Sequence, residues 1–314
     1  MNRAIILTDG KAGHENQSKA FARALGCEFD LMPVAFKSKV AKALSYILDN
    51  LDIHTPRLFN CQPPTNNYQL IIGTGSGTFY AAKTLAKRLG IPCGVVLYPR
   101  GYRISSFDCI LAPEFDSPKP APNVIPIPVN LVAADSDFYA AGVKAFRERH
   151  PDSSRSAVAV IVGGPNKCST MTPEWMQEQL ESIFAEHRPD GCDSNAMPEF
   201  WVTTSRRTPP DVEAVVDSFP FDYKLLYSND HFNPIPAFVS LASHLYVTAE
   251  STGMLSEACS FGTAEVHVMD NLKPGPHKFR RFAEACAARG AEKADLTSAF
   301  AAAKRLLGFN NVIG

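Results

Sequence analysis

The chain has 314 residues, 31 Lys and Arg against 32 Asp and Glu, and a formal net charge of −1. That balance excludes the basic footprint of a nucleic-acid binder, so no nucleic acid is expected as a partner. With 45% hydrophobic and 20% charged residues there is apolar material for two cores, and the length suits two domains of roughly 100–200 residues each.

No run approaches the roughly 18 consecutive apolar residues of a membrane span, so no transmembrane segment is expected; peripheral membrane contact stays open. The apolar start Ala4–Leu7 is short and Asp9 follows almost at once, which reads as a first buried strand and not as a signal peptide; a cytoplasmic location is expected. Eight cysteines, at 27, 61, 93, 109, 168, 192, 259 and 286, include no C-x-x-C pair. They are expected to be buried free thiols.

Residues 4–8 read as a strand and 15–25 as a helix, with Ala20, Phe21, Ala24 and Leu25 at helical spacing and Gly26 to end it. A strand over 69–73 runs into a turn of three alternating glycines. A helix from Phe79 to Leu89 follows, ended by Gly90, and then strands over 94–98 and 108–112. Six prolines between 113 and 128 exclude a helix there and mark either a linker or the edge of a first domain. Residues 134–149 read as a helix. The pattern then restarts, with strands over 157–162, 199–203, 224–227, 244–248 and 264–268. Helices over 173–187, 209–219, 234–242 and 251–261 lie between them. An Ala-rich helix closes the chain from Asp295 to Leu307. The fold class is α/β, with two doubly wound halves. Residues 1–150 form the first domain, joined by the C-terminal helix 295–309, and 151–294 form the second.

Ligands of open α/β sheets bind at the carboxyl ends of strands. Five loops after strands are therefore candidates. In Thr8-Asp9-Gly10-Lys11-Ala12-Gly13-His14, with Gln17 beyond it, the glycines free backbone amides for an anion or a sugar hydroxyl, and Asp9 and His14 are the titratable groups. Asp9 as a simple cap is the plainer reading. In Gly73-Thr74-Gly75-Ser76-Gly77 the glycines allow close approach of a ligand or of the facing domain, or merely a sharp turn. In Gly163-Gly164-Pro165-Asn166-Lys167, exposed amides and a lysine suit a diphosphate. Ser205, Arg206 and Arg207 add two cations. In Ser251-Thr252-Gly253-Met254, with Ser256 and Glu257 further on, a helix begins with hydroxyls that either bind phosphate or cap the helix. No D-x-D pair is placed to hold a divalent ion on a diphosphate, and no metal is expected.

The motifs T-D-G-K-A-G-H-E-N-Q at 8–17, G-G-P-N-K at 163–167, T-S-R-R-T-P at 204–209 and V-T-A-E-S-T-G-M-L-S-E-A at 247–258 together resemble the mitochondrial fission Elm-type family, plant proteins with many bacterial relatives. The family pattern carries Asp and Ser where this chain has Glu250 and Gly253. The family is similar to glycosyltransferase-B enzymes, including the peptidoglycan glucosaminyl transferase. The resemblance implies two Rossmann-like domains facing a cleft, with acceptor on the first and nucleoside-diphosphate sugar, as donor substrate, on the second. In a metal-independent glycosyltransferase of this kind, acting on cell-envelope polysaccharide or lipid, Asp9 or His14 would remove the proton of an unidentified acceptor. Gly10, Gly13, Gln17, Gly75, Ser76 and Gly77 would contact that acceptor. Gly163, Gly164, Asn166, Lys167, Ser205, Arg206 and Arg207, with Ser251 to Met254 and Ser256, would hold the donor. Glu257 would orient the ribose, and no further cofactor is implied. The alternatives are a nucleoside-diphosphate-sugar epimerase on the same fold, or a nucleotide-binding scaffold without chemistry.

Overall fold

The computed structural model describes residues 2–62, 67–188 and 197–309. The chain divides into two compact units, one of residues 1–133 with 295–314 and one of residues 134–294.

The first unit is built on a seven-stranded sheet. Its strands are β1 (Asn2–Thr8), β2 (Cys27–Phe36), β3 (Phe59–Cys61), β4 (Leu70–Thr74), β5 (Cys93–Val96), β6 (Cys109–Pro113) and β7 (Val124–Ile127), in the order β3-β2-β1-β4-β5-β6-β7. All pairs are parallel except β2 with β3. Central β1 and β4 are apolar without alternation because both of their faces are covered. On one face Ala4, Ile6, Leu70 and Ile72 pack with Phe21 of α1 (Ala12–Ala24) and with Ala299, Ala303 and Leu307 of α10 (Thr297–Leu307). On the other, Ile5, Leu7 and Ile71 pack with Tyr80, Ala82 and Leu85 of α3 (Phe79–Leu89); α2 (Lys39–Asn50) lies beside α3. The proline-rich stretch holds β7, and its Pro126 sits on the sheet edge, where a missing N–H is tolerated.

The second unit has five parallel strands, β8 (Ala157–Ile161), β9 (Glu199–Thr203), β10 (Tyr223–Leu225), β11 (His244–Thr248) and β12 (Glu265–Met269), in the order β10-β9-β8-β11-β12. Met176, Leu180 and Ile183 of α5 (Pro173–His187) and Val212 and Val216 of α6 (Pro210–Ser218) cover one face. On the other, Phe146 of α4 (Ser136–Arg149) and Phe238 of α7 (Ile235–Leu241) close on Trp201, with ring centroids 5.0 and 5.6 Å from the indole. α4 approaches α7 closely because position 142 is glycine: a Cβ there would lie 2.6 Å from Pro236. The sequence pattern places this helix before the boundary at 150; its apolar face packs on α7, so it belongs to the second unit. α8 (Thr252–Ser260) and α9 (Lys278–Arg289) pack along β11 and β12.

Among the described residues no helix is long and apolar enough to cross a membrane. Of the seven described cysteines, all free, Cys61 and Cys168 are half-buried and the rest buried; Cys192 lies outside the described residues.

Candidate functional site

In each sheet one pair of neighbouring strands sends its following helices to opposite faces, which opens a crevice at their carboxyl ends. In the first unit the pair is β1 and β4, and in the second it is β8 and β11. Four of the loops singled out in the sequence stand at these two switch points.

At the first, His14 Nδ1 lies 3.1 Å from both oxygens of Asp9, and Lys11 Nζ lies 3.1 Å from Oδ2. A carboxylate only accepts, so Nδ1 carries the proton and the lone pair of the neutral ring is on Nε2. Nε2 has no hydrogen-bond partner among the described residues. Burial raises the Asp9 carboxyl, but the hydrogen bond from Lys11 and the field of His14 outweigh it, and Asp9 is held below its usual range. Asp9 therefore does more than cap: its contact with the Lys11 amide is long, 3.4 Å, and its short contacts go to His14 and the Lys11 ammonium.

The alternating glycines make room for this pair. A Cβ at Gly75, where φ is +81°, would sit 2.3 Å from His14 Cε1, and one at Gly77 would sit 2.6 Å from Asp9 Oδ2. Ser76 receives a hydrogen bond from Lys42 Nζ at 3.0 Å, and Ser18 and Thr74 close the base of the crevice at 2.6 Å. Gly10 and Gly13 meet nothing within 4 Å of a built Cβ and stay open. Gln17 keeps a buried carboxamide oxygen without a partner among the described residues. Beside Asp9 a cavity of about 610 Å³ is lined by Thr8, Asp9, Gly10, Val34, Phe59 and Asn60.

At the second switch point the Gly-Gly amides are already spoken for. Gly163 N donates to Thr248 Oγ1 at 2.9 Å, and Gly164 N donates to Glu250 Oε1 at 2.7 Å. Asn271 Nδ2 donates to Glu250 Oε2 at 2.7 Å, so this 2% exposed carboxylate is met on both oxygens. Both glycines are steric necessities: a Cβ at Gly163 would lie 2.1 Å from Glu250 Oε1, and one at Gly164 2.2 Å from the Arg207 carbonyl oxygen. Thr208 Oγ1 donates to Gly163 O at 2.6 Å and receives Ser205 N at 2.9 Å, which ties in the loop after β9. The Asn166 side chain is likewise engaged, accepting from Cys168 N at 2.7 Å.

What stays open is the start of α8. The Ser251 side chain makes no capping bond, and the first helical bond runs from Leu255 N to Ser251 O, so the amides of Thr252, Gly253 and Met254 precede it. A Cβ at Gly253 would meet nothing within 4 Å. Lys167, Arg206 and Arg207 are exposed. Ser256 donates to Thr252 O at 2.6 Å inside the helix. Glu257 receives the Tyr139 hydroxyl at 3.1 Å, and burial holds its carboxyl above the usual range.

A family model described as mitochondrial fission ELM1 matches residues 12–303. The chain belongs to the mitochondrial fission ELM1 family. The Rickettsia prowazekii (strain Madrid E) protein RP120, itself uncharacterized, is 24% identical over 299 residues, covering 82% of this chain and 80% of that one. Among solved structures, an S. aureus MnaA–UDP co-structure is 10% identical with a TM-score of 0.51, covering 100% of this chain and 98% of that one. A Neisseria meningitidis UDP-GlcNAc 2-epimerase bound to UDP-GlcNAc is 13% identical with a TM-score of 0.49, covering 99% and 95%. At 10% identity the likeness to the first of these structures is one of fold, and the fold of this ELM1-family chain is of the glycosyltransferase-B type.

Sequence reasoning overlooked Lys42 and Asn271, and gave no role to Thr208 and Thr248 within the motifs that contain them. The Glu250 clasp spans 86 residues, and nothing local in the sequence marks it.

Proposed function

We propose that this ELM1-family protein is a metal-independent glycosyltransferase that uses a nucleoside-diphosphate sugar. The observation that carries the reading is the Asp9–His14 pair, in which Nδ1 of His14 is bound to Asp9 and Nε2 has no partner among the described residues. His14 Nε2 takes the proton of the acceptor hydroxyl as its oxygen attacks the anomeric carbon, and the bond from that carbon to the diphosphate breaks. Asp9 holds the ring and stabilises the imidazolium that forms, the same division of labour as in a Ser-His-Asp triad.

On the second unit, the open amides at 252–254 and the Ser251 hydroxyl are the groups we assign to the departing diphosphate. Lys167, Arg206 and Arg207 add positive charge in place of a metal ion. The Gly163 and Gly164 amides drop out of this role because Thr248 and Glu250 occupy them. Glu257, shared with Tyr139, remains the residue assigned to the ribose.

That occupation of the Gly-Gly amides also favours a second reading, a nucleotide-binding protein without transfer chemistry. Titrating the protein with nucleotides and nucleotide sugars, with thermal stability as readout, separates the cases when joined to a transfer assay. A ligand that binds only the folded state raises the midpoint. We expect one diphosphate nucleotide to do so, and His14→Ala to keep that shift while lowering kcat by roughly a hundred- to ten-thousand-fold. A shift without any turnover in the native protein supports the second reading. No shift from any of them refutes both.

A further inference from the structure

At the amino ends of β11 and β12, on the edge of the sheet opposite the loops described above, three side chains of metal-binding type converge. The two strands are parallel with His244 opposite Glu265 and Tyr246 opposite His267. Side chains two residues apart share a face of a strand, so all four lie on one face. His244 Nδ1 is 3.1 Å from His267 Nε2 and 3.7 Å from Glu265 Oε2. One ligand atom from each of the three lies within 4.8 Å of the other two. Two donors on a tetrahedral zinc ion, each 2.0–2.1 Å from the metal, are separated by roughly 3.3 Å. The spacings from His244 Nδ1 to His267 Nε2 and to Glu265 Oε2, 3.1 and 3.7 Å, lie close to the edge of such a tetrahedron.

The surroundings hold the ligands in place. The His267 ring lies on Tyr246 with centroids 4.4 Å apart and planes 13° from parallel. Tyr246 gives its only hydroxyl proton to Glu186 Oε2 at 3.0 Å, so it accepts from His187 Nε2 at 2.9 Å. His187 is thereby fixed with its proton on Nε2 and a lone pair on Nδ1, and its ring centroid is 4.6 Å from that of His244. A metal-ligating histidine almost always donates its other ring N–H to a fixed acceptor, and Tyr246, itself bound to Glu186, is that acceptor for His187.

We propose that His244 Nδ1, His267 Nε2 and Glu265 Oε2 bind a divalent transition-metal ion of the zinc type, with His187, whose ring lies near that of His244, offering Nδ1 for a fourth position. The ion joins β11 to β12 at the end of the sheet away from the loops assigned to sugar transfer. Its role is structural, and the assignment stands or falls independently of the proposed enzyme activity.

The test is titration of the untagged full chain with Zn²⁺ by calorimetry, and with Co²⁺ by visible absorption. We expect one equivalent bound, and a Co²⁺ spectrum of tetrahedral nitrogen and oxygen coordination without a thiolate charge-transfer band. His244→Ala and His267→Ala should each weaken binding by more than about a hundredfold, since even the outer partners of ligands cost ten- to a hundredfold. Absence of stoichiometric binding to the native chain, a thiolate band that places the ion on cysteines, or affinity retained in both histidine variants overturns the proposal. The native-chain spectrum decides even if a variant fails to fold. An ion-free native pair, with the two imidazoles simply hydrogen-bonded to each other, would appear as the first of these results.

Discussion

Glu250 is a carboxylate almost out of reach of water, and its place in the molecule follows from three donors. Gly164 N, Thr248 Oγ1 and Asn271 Nδ2 all point at it, at 2.7, 3.1 and 2.7 Å. A buried charge is tolerated only when met in this way. Removing it leaves a backbone amide and a carboxamide buried without acceptors. Glu250→Ala is expected to lower the free energy of unfolding by about 1–3 kcal/mol, measured by urea denaturation. An unchanged midpoint would show that water fills the gap and that the clasp contributes little. The Asp9–His14 pair was legible in the sequence because the two residues are 5 positions apart, one in the turn after β1 and the other in the first turn of α1. The Glu250 clasp was not, because its partners come from residues 163–164, 248 and 271, which only the sheet order brings together. For the same reason the glycines at 75 and 77 look in sequence like room for a ligand; their neighbours, His14 and Asp9, are some sixty residues away.

Among the elements, the legible ones are those whose residues are uniform. β8 is an unbroken apolar run and β4 one as far as Gly73, both buried throughout, and Gly26 and Gly90 end α1 and α3 with positive φ, as terminal glycines do. β2 gives no such signal. It lies one strand from the edge, mixes Glu28, Asp30 and Pro33 into its length, and shows an irregular burial pattern. α9 is obscured by Arg280, Arg281 and Glu284, with only Phe282, Ala283 and Cys286 buried. Strand β9 carries a different lesson, since its first residue is the buried acid Glu199. Burial raises that carboxyl, but hydrogen bonds from Ser153, His150 and Trp201 outweigh it and bring it from 4.5 down to about 2. An acid with a depressed value in the folded state stabilises fully above its unfolded value and loses that contribution as pH falls toward the folded one. Stability is therefore expected to decline between pH 4.5 and about 2, and Glu199→Gln to flatten part of that decline in denaturation curves recorded across the range. A variant whose curve keeps the full slope would assign the decline to other acids.

For the molecule as a whole, the two-halved α/β pattern is legible from the alternation of strands and helices, and the first sheet is closed on one face by a helix from the far end of the chain. α10 brings Ala299, Ala303 and Leu307 onto the face occupied by Phe21, Ile6 and Ile72, whereas residues 134–294 form their unit from one continuous segment. A polypeptide of residues 134–294 is expected to fold alone, with a cooperative thermal transition. Residues 1–133 should lack one until residues 295–314 are supplied, as a separate peptide or by fusion. Cooperative melting of 1–133 alone would show α10 to be dispensable.

This discontinuity also sets an order of events during synthesis. Domains fold as they leave the ribosome, and the first to emerge is usually the first to finish. Here residues 1–133 emerge first, yet the helix that covers their exposed apolar face is translated after the whole of the second unit. The half made later is complete earlier, and the half made earlier must keep Leu111 of β6 and Ile127 of β7 from sticking to other chains until translation reaches α10.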